Sequence, residues 1–288
     1  MSATGYHYLQ VQEHLEKLKL NQMVSVLDRV AEEASQGQWS YVEFLGKLLD
    51  EELAIRQERR LVAKQRLAHF PWVRTLDQFD FAFQPGVDEK KIRDLATLRF
   101  VAEPGVVLLT GPPGVGKTHL AIGLGMEAIR CGYSVYFQTL SELADQVPRD
   151  RNDPRWMERL RVLSYPKLLI IDEVGYVPLD PVVSYFVFSL VCRRYEKGSM
   201  IWTSNKGFAE WAGVFAGDEV LTAAILDRLL HHGTVVNIRG QSYRLRDKLR
   251  AGTMQTTERP YPQDSQSQTL RSLDGQGGEF EIAKNGEI

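Results

Sequence analysis

A glycine-rich loop between an apolar run and a helix carries the residues best suited to bind phosphate. Its sequence, Gly-Pro-Pro-Gly-Val-Gly-Lys-Thr, fits the pattern G-x-x-x-x-G-K-S/T, whose backbone N–H groups wrap the phosphates of a nucleoside triphosphate. Lys117 is expected to reach the β- and γ-phosphates, and the Thr118 hydroxyl to bind Mg²⁺. The alternative is an ordinary glycine turn before an exposed lysine. Such a turn would not require a buried strand before it and a helix after it. The predicted phosphate-contacting residues are Gly111, Pro112, Pro113, Gly114, Val115, Gly116, Lys117 and Thr118.

Two carboxylates, Asp172 and Glu173, follow a second apolar run. In open parallel sheets, ligands bind at the carboxyl ends of the strands, where this pair is expected to lie. Asp172 can hold Mg²⁺ directly or through water, and Glu173 can orient and deprotonate an attacking water. An acidic pair after a strand is often no more than the start of a loop. The phosphate loop upstream favours the functional interpretation.

Three further polar residues are candidates for contact with a nucleotide. Asn205 follows a predicted strand and could hold the γ-phosphate or the water, although asparagine is also a common turn residue. Arg228 lies near a helix end and could act as an arginine finger for a neighbouring subunit. A contact with Asp227 or with the helix dipole is the structural alternative for it. Arg244 follows the last predicted strand and could touch the nucleotide of its own subunit.

Strands and helices alternate between residues 70 and 250, which predicts an α/β fold with a parallel sheet flanked by helices. Apolar runs predict strands at 106–109, 134–137, 167–172, 200–203 and 234–238. Helices are expected at 119–129, 139–147, 180–198 and 218–233, with Thr139, Asp180 and Asp218 as N-caps.

The chain divides into three regions by composition. Residues 1–68 show apolar residues at helical spacing and a capping box from Ser40 to Glu43, which predicts a small all-helical domain for partner or DNA binding. Residues 69–250 form the predicted ATPase domain. Residues 251–288 are rich in Gln, Ser, Thr and Gly and carry excess acid, which predicts a disordered polar tail.

Overall composition is ordinary for a globular protein, with 43% hydrophobic and 25% charged residues. No apolar run reaches the length of a membrane span, and the first residues lack a secretion-signal pattern. Both cysteines, Cys131 and Cys192, lie in apolar helical surroundings and are expected to be buried thiols. A cytoplasmic location and the absence of a membrane partner are therefore expected.

Local basic segments contrast with the net charge of −2. The segment 148–164 joins the predicted helix at 139–147 to the predicted strand at 167–172. It is the candidate DNA contact because a phosphate backbone is attracted by local positive charge. The arginines predicted to make this contact are Arg149, Arg151, Arg155 and Arg159. No base-reading module is visible, so binding is expected to be blind to sequence. If these arginines only face water, the basic helix around Arg59, Arg60 and Lys64 is the alternative contact.

In combination, these motifs resemble the AAA+ ATPases and, more narrowly, the IstB-type transposition helper ATPases, which are close to the DnaC helicase loaders. The resemblance spans roughly residues 40–250. It rests on the phosphate loop through His119, Phe79-Asp80-Phe81, Asp172-Glu173-Val174-Gly175-Tyr176, the stretch from Ile225 to His232, and Ser242-Tyr243-Arg244-Leu245-Arg246. It adds His119 to the nucleotide-contacting set and implies that Asn205 is sensor I, Arg228 the trans-acting finger and Arg244 sensor II.

The resemblance also implies a function. Family members bind ATP and Mg²⁺, assemble on double-stranded DNA as homo-oligomers with nucleotide at subunit interfaces, and help a transposase select its target. The short chain after Ile238 implies a nearly absent helical lid. A helicase loader would share every ATPase motif, and a nucleotide-gated clamp would differ only in its hydrolysis rate. A small-molecule kinase would not explain Asn205, Arg228 or the helical N-terminal region.

Overall fold

The computed structural model describes the backbone of residues 3–243, with side chains from His7 onward. Three helices come first, α1 (Ala3–Lys17), α2 (Asn21–Gly37) and α3 (Tyr41–Leu67). The predicted capping box is confirmed, since the Ser40 side chain accepts from Glu43 N–H and the Glu43 carboxylate accepts from Ser40 N–H. A small apolar core joins α2 to α3 through Met23, Val26, Leu27, Val30 and Leu48.

Five parallel strands form one sheet in the order β2-β3-β4-β1-β5. They are β1 (Val106–Thr110), β2 (Val135–Thr139), β3 (Leu168–Val174), β4 (Ser199–Ser204) and β5 (Gly233–Asn237). All five strands lie within one or two residues of their predicted positions. The expected α/β architecture, with a parallel sheet behind a helical N-terminal segment, is confirmed.

Helices cover both faces of the sheet. They are α4 (Glu89–Leu95), α5 (Arg99–Ala102), α6 (Lys117–Arg130), α7 (Leu140–Gln146), α8 (Pro154–Ser164), α9 (Pro181–Arg194) and α10 (Glu219–His231). Thr139, Asp180 and Asp218 each accept a backbone N–H as the predicted N-caps of α7, α9 and α10. One apolar core lies between the sheet and α6, and a second between the sheet and α8, α9 and α10.

The end of α3 joins the first of these cores rather than standing apart. Ala68 is fully buried in it, and its carbonyl accepts from Phe137 N–H of β2 at 2.8 Å. The Lys64 ammonium donates to the carbonyl of Gly132, which follows α6. The long helix α3 therefore links the small N-terminal core to the sheet.

One sequence expectation is wrong: the two cysteines are not both buried. Cys131 is exposed beyond the end of α6, and Cys192 on α9 is only partly covered. Helical periodicity could not settle this, because burial of a helix end depends on its neighbours. Within the part of the chain that the structure describes, no helix is long and apolar enough to cross a membrane. Arg244 and the tail at 251–288 lie outside the described residues.

Candidate functional site

The phosphate loop follows β1 directly and ends at the first residue of α6. Gly111, Gly114 and Gly116 have φ values of +146°, +83° and +98°, a backbone region that side chains disfavour. Lys117 is buried, and its ammonium donates to the carbonyls of Gly111 and Pro112 at 2.7 and 2.8 Å. The Lys117 side chain is therefore folded back over the phosphate loop.

Steric contacts with neighbouring segments also require glycine at these three positions. A Cβ on Gly116 would lie 2.5 Å from the ring of Phe79, and one on Gly114 would lie 2.1 Å from the Ser242 hydroxyl. A Cβ on Gly111 would approach the carbonyl of Ile238 to 2.2 Å. The loop is therefore packed between the segment before α4 and the chain that leaves β5. Neither neighbour is close to the loop in sequence.

Thr118, the predicted metal ligand of the loop, faces the predicted metal ligand of β3. Its hydroxyl lies 3.1 and 3.0 Å from the two carboxylate oxygens of Asp172. Thr203, at the end of β4, donates its hydroxyl to the same carboxylate. Burial raises the pKa of Asp172, while the Thr203 and Thr118 hydroxyls oppose that rise. A divalent cation at this point would restore the charged form, so the donor set fits an oxygen-bound Mg²⁺.

Glu173 adopts a left-handed conformation, with φ of +62°. The register between β3 and β4 shifts between Ile171 and Val174, and the Glu173 N–H donates to the Thr203 hydroxyl at 3.0 Å instead of to a strand carbonyl. The irregularity places the Glu173 side chain on the wall of the cavity described next. Backbone strain of this kind is frequent at functional sites.

A cavity of about 600 Å³ lies at the carboxyl edge of the sheet, above the loop. Gly114 to His119, Glu173 and Asn205, all from the predicted set, line it together with Thr203, which was not predicted. The first three residues of the loop are not part of the cavity wall. The carbonyls of Gly111 and Pro112 accept from the Lys117 ammonium, and Pro113 is exposed. Sequence reasoning missed the rest of the wall, which is formed by Trp72, Arg74, Gln78, Phe79, Asp80, Gln84, Tyr176 and Tyr243.

Most of these missed residues precede α4 in a stretch without regular strands. The Phe79-Asp80-Phe81 motif was the available signal, because two aromatic residues in a polar segment indicate a buried contact. In the structure Phe79 packs against Gly116 and lies edge-on to the His119 ring, with centroids 5.3 Å apart. This stretch closes the side of the cavity that the sheet leaves open.

His119 binds the same stretch through its imidazole. Its Nε2 lies 2.9 Å from the Thr75 carbonyl, and the ring stands edge-on to Trp72 as well as to Phe79. Burial among these groups lowers the pKa of His119, against the opposing effect of the Thr75 carbonyl. The residue therefore positions the cavity wall and is neutral at physiological pH.

Asn205 lies two residues beyond Thr203, where the resemblance places sensor I. Its Oδ1 is buried, and no hydrogen-bond partner for it occurs among residues 7–243. Buried amide oxygens are almost always paired, so an unpaired one on a cavity wall is expected at a ligand site. Together with the glycine loop, Lys117 and the Thr118–Asp172 pair, it shows that the residues present fit a nucleoside triphosphate with Mg²⁺.

Arg228 lies far from its own cavity. It is near the C-terminal end of α10. Four residues further on, the backbone carbonyl of His232 accepts from Val106 N–H at the start of β1. The phosphate loop follows the other end of β1, so Arg228 belongs to the opposite edge of the sheet. Its guanidinium donates to the Ala224 carbonyl at 2.8 Å and lies 5.3 Å from the Phe188 ring centre. Among the residues that the structure describes, Arg228 forms no ion pair with Asp227, the alternative that the sequence had suggested.

The four arginines of the predicted DNA contact have different surroundings. Arg149 pairs with Asp180, Arg155 pairs with Asp153 at 2.6 Å, and Arg151 lies over the Tyr185 ring. Arg159 is partly buried and donates to Gln138 at 2.7 Å. Arg151 and Arg155 keep exposed side chains on or beside α8, whereas Arg159 contributes to the packing of α8 on β2.

Comparison with known proteins agrees with this geometry. The sequence model of the family described as IstB-like ATP binding protein matches residues 13–251. An ATP-binding protein of insertion sequence IS21 from Pseudomonas aeruginosa is 45% identical over 87% of this chain and 94% of its own length. An ATP-binding protein of insertion sequence IS5376 from Geobacillus stearothermophilus is 46% identical over 83% of this chain and 94% of its own length.

Among solved structures, DnaI has the same fold. It superposes with a TM-score of 0.50 and 22% identity over 58% of this chain and 91% of its own. At that identity the likeness concerns architecture alone.

Proposed function

The chain belongs to the IstB-like ATP-binding protein family, and from this premise we propose that it is a Mg²⁺-dependent ATPase that assembles on DNA and assists a transposase. The observation that carries the ATPase part is that Lys117, Thr118 and Glu173 line one cavity of about 600 Å³, with the Asp172 carboxylate directly behind Thr118. The first two side chains begin α6 and the last two lie near the end of β3, so two distant elements together supply an ammonium, a hydroxyl and two carboxylates for phosphoanhydride hydrolysis.

The loop N–H groups and Lys117 would bind the triphosphate, because a helix N-terminus and an ammonium both favour anions. Mg²⁺, when bound, would neutralise phosphate charge next to Thr118 and Asp172. Glu173 would accept a proton from water as the water attacks the γ-phosphorus and the bond to the bridging oxygen breaks, which releases ADP and phosphate. Asn205 would orient that water or the γ-phosphate.

Oligomerisation is part of the proposal because Arg228 is remote from the cavity of its own chain. A guanidinium at the opposite edge of the sheet can complete an active site only if a neighbouring subunit presents its cavity to it. We therefore propose a homo-oligomer with nucleotide at the subunit interfaces and Arg228 as the residue supplied in trans. Its exposed neighbours at the end of α10 leave this face open to a partner subunit.

DNA and transposase partners are supported by the insertion-sequence relatives and by the basic surface beside α8. Target capture would use Arg149, Arg151 and Arg155 for phosphate contacts that do not depend on base sequence. The helical region at 1–68 is the proposed partner-binding domain, residues 69–250 the ATPase domain, and 251–288 the polar tail. A helicase loader remains the alternative function, but the family match and the insertion-sequence relatives favour transposition.

The ATPase proposal is tested by two substitutions with opposite signatures. Lys117→Ala should abolish ATP binding, since it removes the charge that faces the phosphates. Glu173→Gln should bind ATP at wild-type affinity, lower turnover by about a hundredfold or more, and remain on DNA. Equilibrium binding of a fluorescent ATP analogue and phosphate release measure the two effects. Wild-type turnover in Glu173→Gln would show the catalytic assignment to be wrong.

A further inference from the structure

Three side chains with metal-binding atoms meet at the end of α10, at the sheet edge opposite the nucleotide cavity. They are His231 and His232 of that helix end and Glu196 of the turn after α9. One ligand atom from each lies within 4.8 Å of the other two, and all three residues are exposed. The two imidazole rings are 4.1 Å apart between centroids.

One pair already has the spacing of two ligands on a single metal ion. His232 Nε2 lies 3.4 Å from a Glu196 carboxylate oxygen. Two ligands at about 2.1 Å from a tetrahedral ion are about 3.4 Å apart. The remaining separations, up to 4.8 Å, can shorten by rotation of these exposed side chains.

A neighbouring tyrosine is placed to orient one of the imidazoles. The Tyr195 hydroxyl lies 2.6 Å from His231 Nδ1, and the two rings are stacked with centroids 6.0 Å apart. In the tautomer in which Nδ1–H donates to that hydroxyl, the Nε2 lone pair is available to a cation. Metal-bound histidines are regularly held this way by a hydrogen bond from their other nitrogen.

We propose that His231, His232 and Glu196 bind one divalent transition-metal ion of the Zn²⁺ class. Two imidazoles and a carboxylate suit Zn²⁺, Co²⁺ or Ni²⁺, whereas Mg²⁺ and Ca²⁺ select oxygen ligands. Three protein ligands leave a fourth position for water or for a side chain of an adjacent molecule.

The ion would add a crosslink between the ends of two helices, α9 and α10, that already pack against each other. Glu196 follows α9 with a left-handed φ of +56°, His231 is the last residue of α10, and His232 lies between α10 and β5. Arg228 is one helical turn before His231, so the ion would fix the helix end that carries this arginine. The site is separate from the Thr118–Asp172 pair and uses none of its residues.

Co²⁺ titration of tag-free, nucleotide-free protein in excess Mg²⁺ tests the proposal. We expect one Co²⁺ per chain with a visible ligand-field band, displaced by Zn²⁺ but not by Mg²⁺. His231→Ala and Glu196→Gln should each abolish the band, and Tyr195→Phe should weaken binding by about tenfold. His14→Ala, which removes another exposed histidine from α1, should bind as the wild type does.

Zn²⁺ should also raise the melting temperature of the wild type and not that of His231→Ala or Glu196→Gln, because only a folded site binds it. The metal-free variants should melt as the wild type does, since both substitutions are at exposed positions. Absence of saturable Co²⁺ binding, or binding that survives both substitutions, would overturn the assignment. ATP affinity is measured in parallel, so that loss of nucleotide binding is distinguished from loss of this metal.

Discussion

The hydroxyl of Thr118 lies at nearly equal distances, 3.1 and 3.0 Å, from the two carboxylate oxygens of Asp172. The two residues are separated by 54 positions, one at the start of α6 and the other in β3. Their contact brings the two proposed metal ligands together at the carboxyl edge of the sheet. Thr203 donates to the same carboxylate and also accepts from Glu173 N–H, which ties the acidic pair to β4.

Asp172→Asn should separate metal binding from folding. The asparagine oxygen can still accept from Thr118 and Thr203, so the melting temperature should stay close to that of the wild type. The lost charge should remove the Mg²⁺-dependent gain in ATP affinity and lower turnover by about a hundredfold or more. Binding of the ATP analogue with and without Mg²⁺ measures this. Undiminished Mg²⁺ dependence would place the ion elsewhere.

Arg228→Ala should bind ATP nearly normally but fail to hydrolyse it or to form ATP-dependent oligomers, because the arginine serves the neighbour's site. Mixed with Lys117→Ala, it should recover part of the activity, since one kind of interface in the mixture has both parts intact. Arg93→Ala, at an exposed arginine of α4, is the matched control. Sedimentation that finds wild-type monomers with ATP and DNA present would contradict the proposed assembly.

Arg151→Gln with Arg155→Gln should weaken binding equally on unrelated duplexes, because both side chains are exposed beside α8. Each lost phosphate contact should reduce the slope of log K against log salt by about 0.9. Arg159 is omitted because its bond to Gln138 would confound affinity with stability. Arg59→Gln with Arg60→Gln on α3 is the comparison pair. If only that pair changes affinity and slope, the DNA contact lies on α3.

Stability should fall as the pH drops because of His119. Burial lowers the folded-state pKa of His119 below its usual value of about 6.5, so the unfolded chain takes up the proton more readily. This contribution is fully present above pH 6.5 and is lost progressively below it. The melting temperature should decline less between about pH 7.5 and 5.5 in His119→Gln than in the wild type, while His14→Gln should follow the wild type. Equal slopes for all three proteins would show that His119 does not control this range.

Much of the fold followed from local sequence, for identifiable physical reasons. The capping boxes at Ser40 and Thr139 use side-chain to backbone bonds within three residues, and apolar runs bounded by turn residues predict buried parallel strands. The phosphate loop is equally local, because eight consecutive residues supply its glycine turns, its lysine and the start of its helix. Lys117, Thr118 and the acidic pair could therefore be predicted from sequence alone.

Tertiary structure alone decided which distant residues complete the site. Strand order β2-β3-β4-β1-β5 brings Thr203 beside Asp172, and no local pattern gives that order, since it depends on pairing between strands far apart in sequence. The stretch from Trp72 to Gln84 has no periodicity, yet it folds over the loop because Phe79 and His119 pack together. The meeting of Glu196 with His231 and His232 has the same origin, because packing of α9 against α10 sets their distance and spacing along the chain does not.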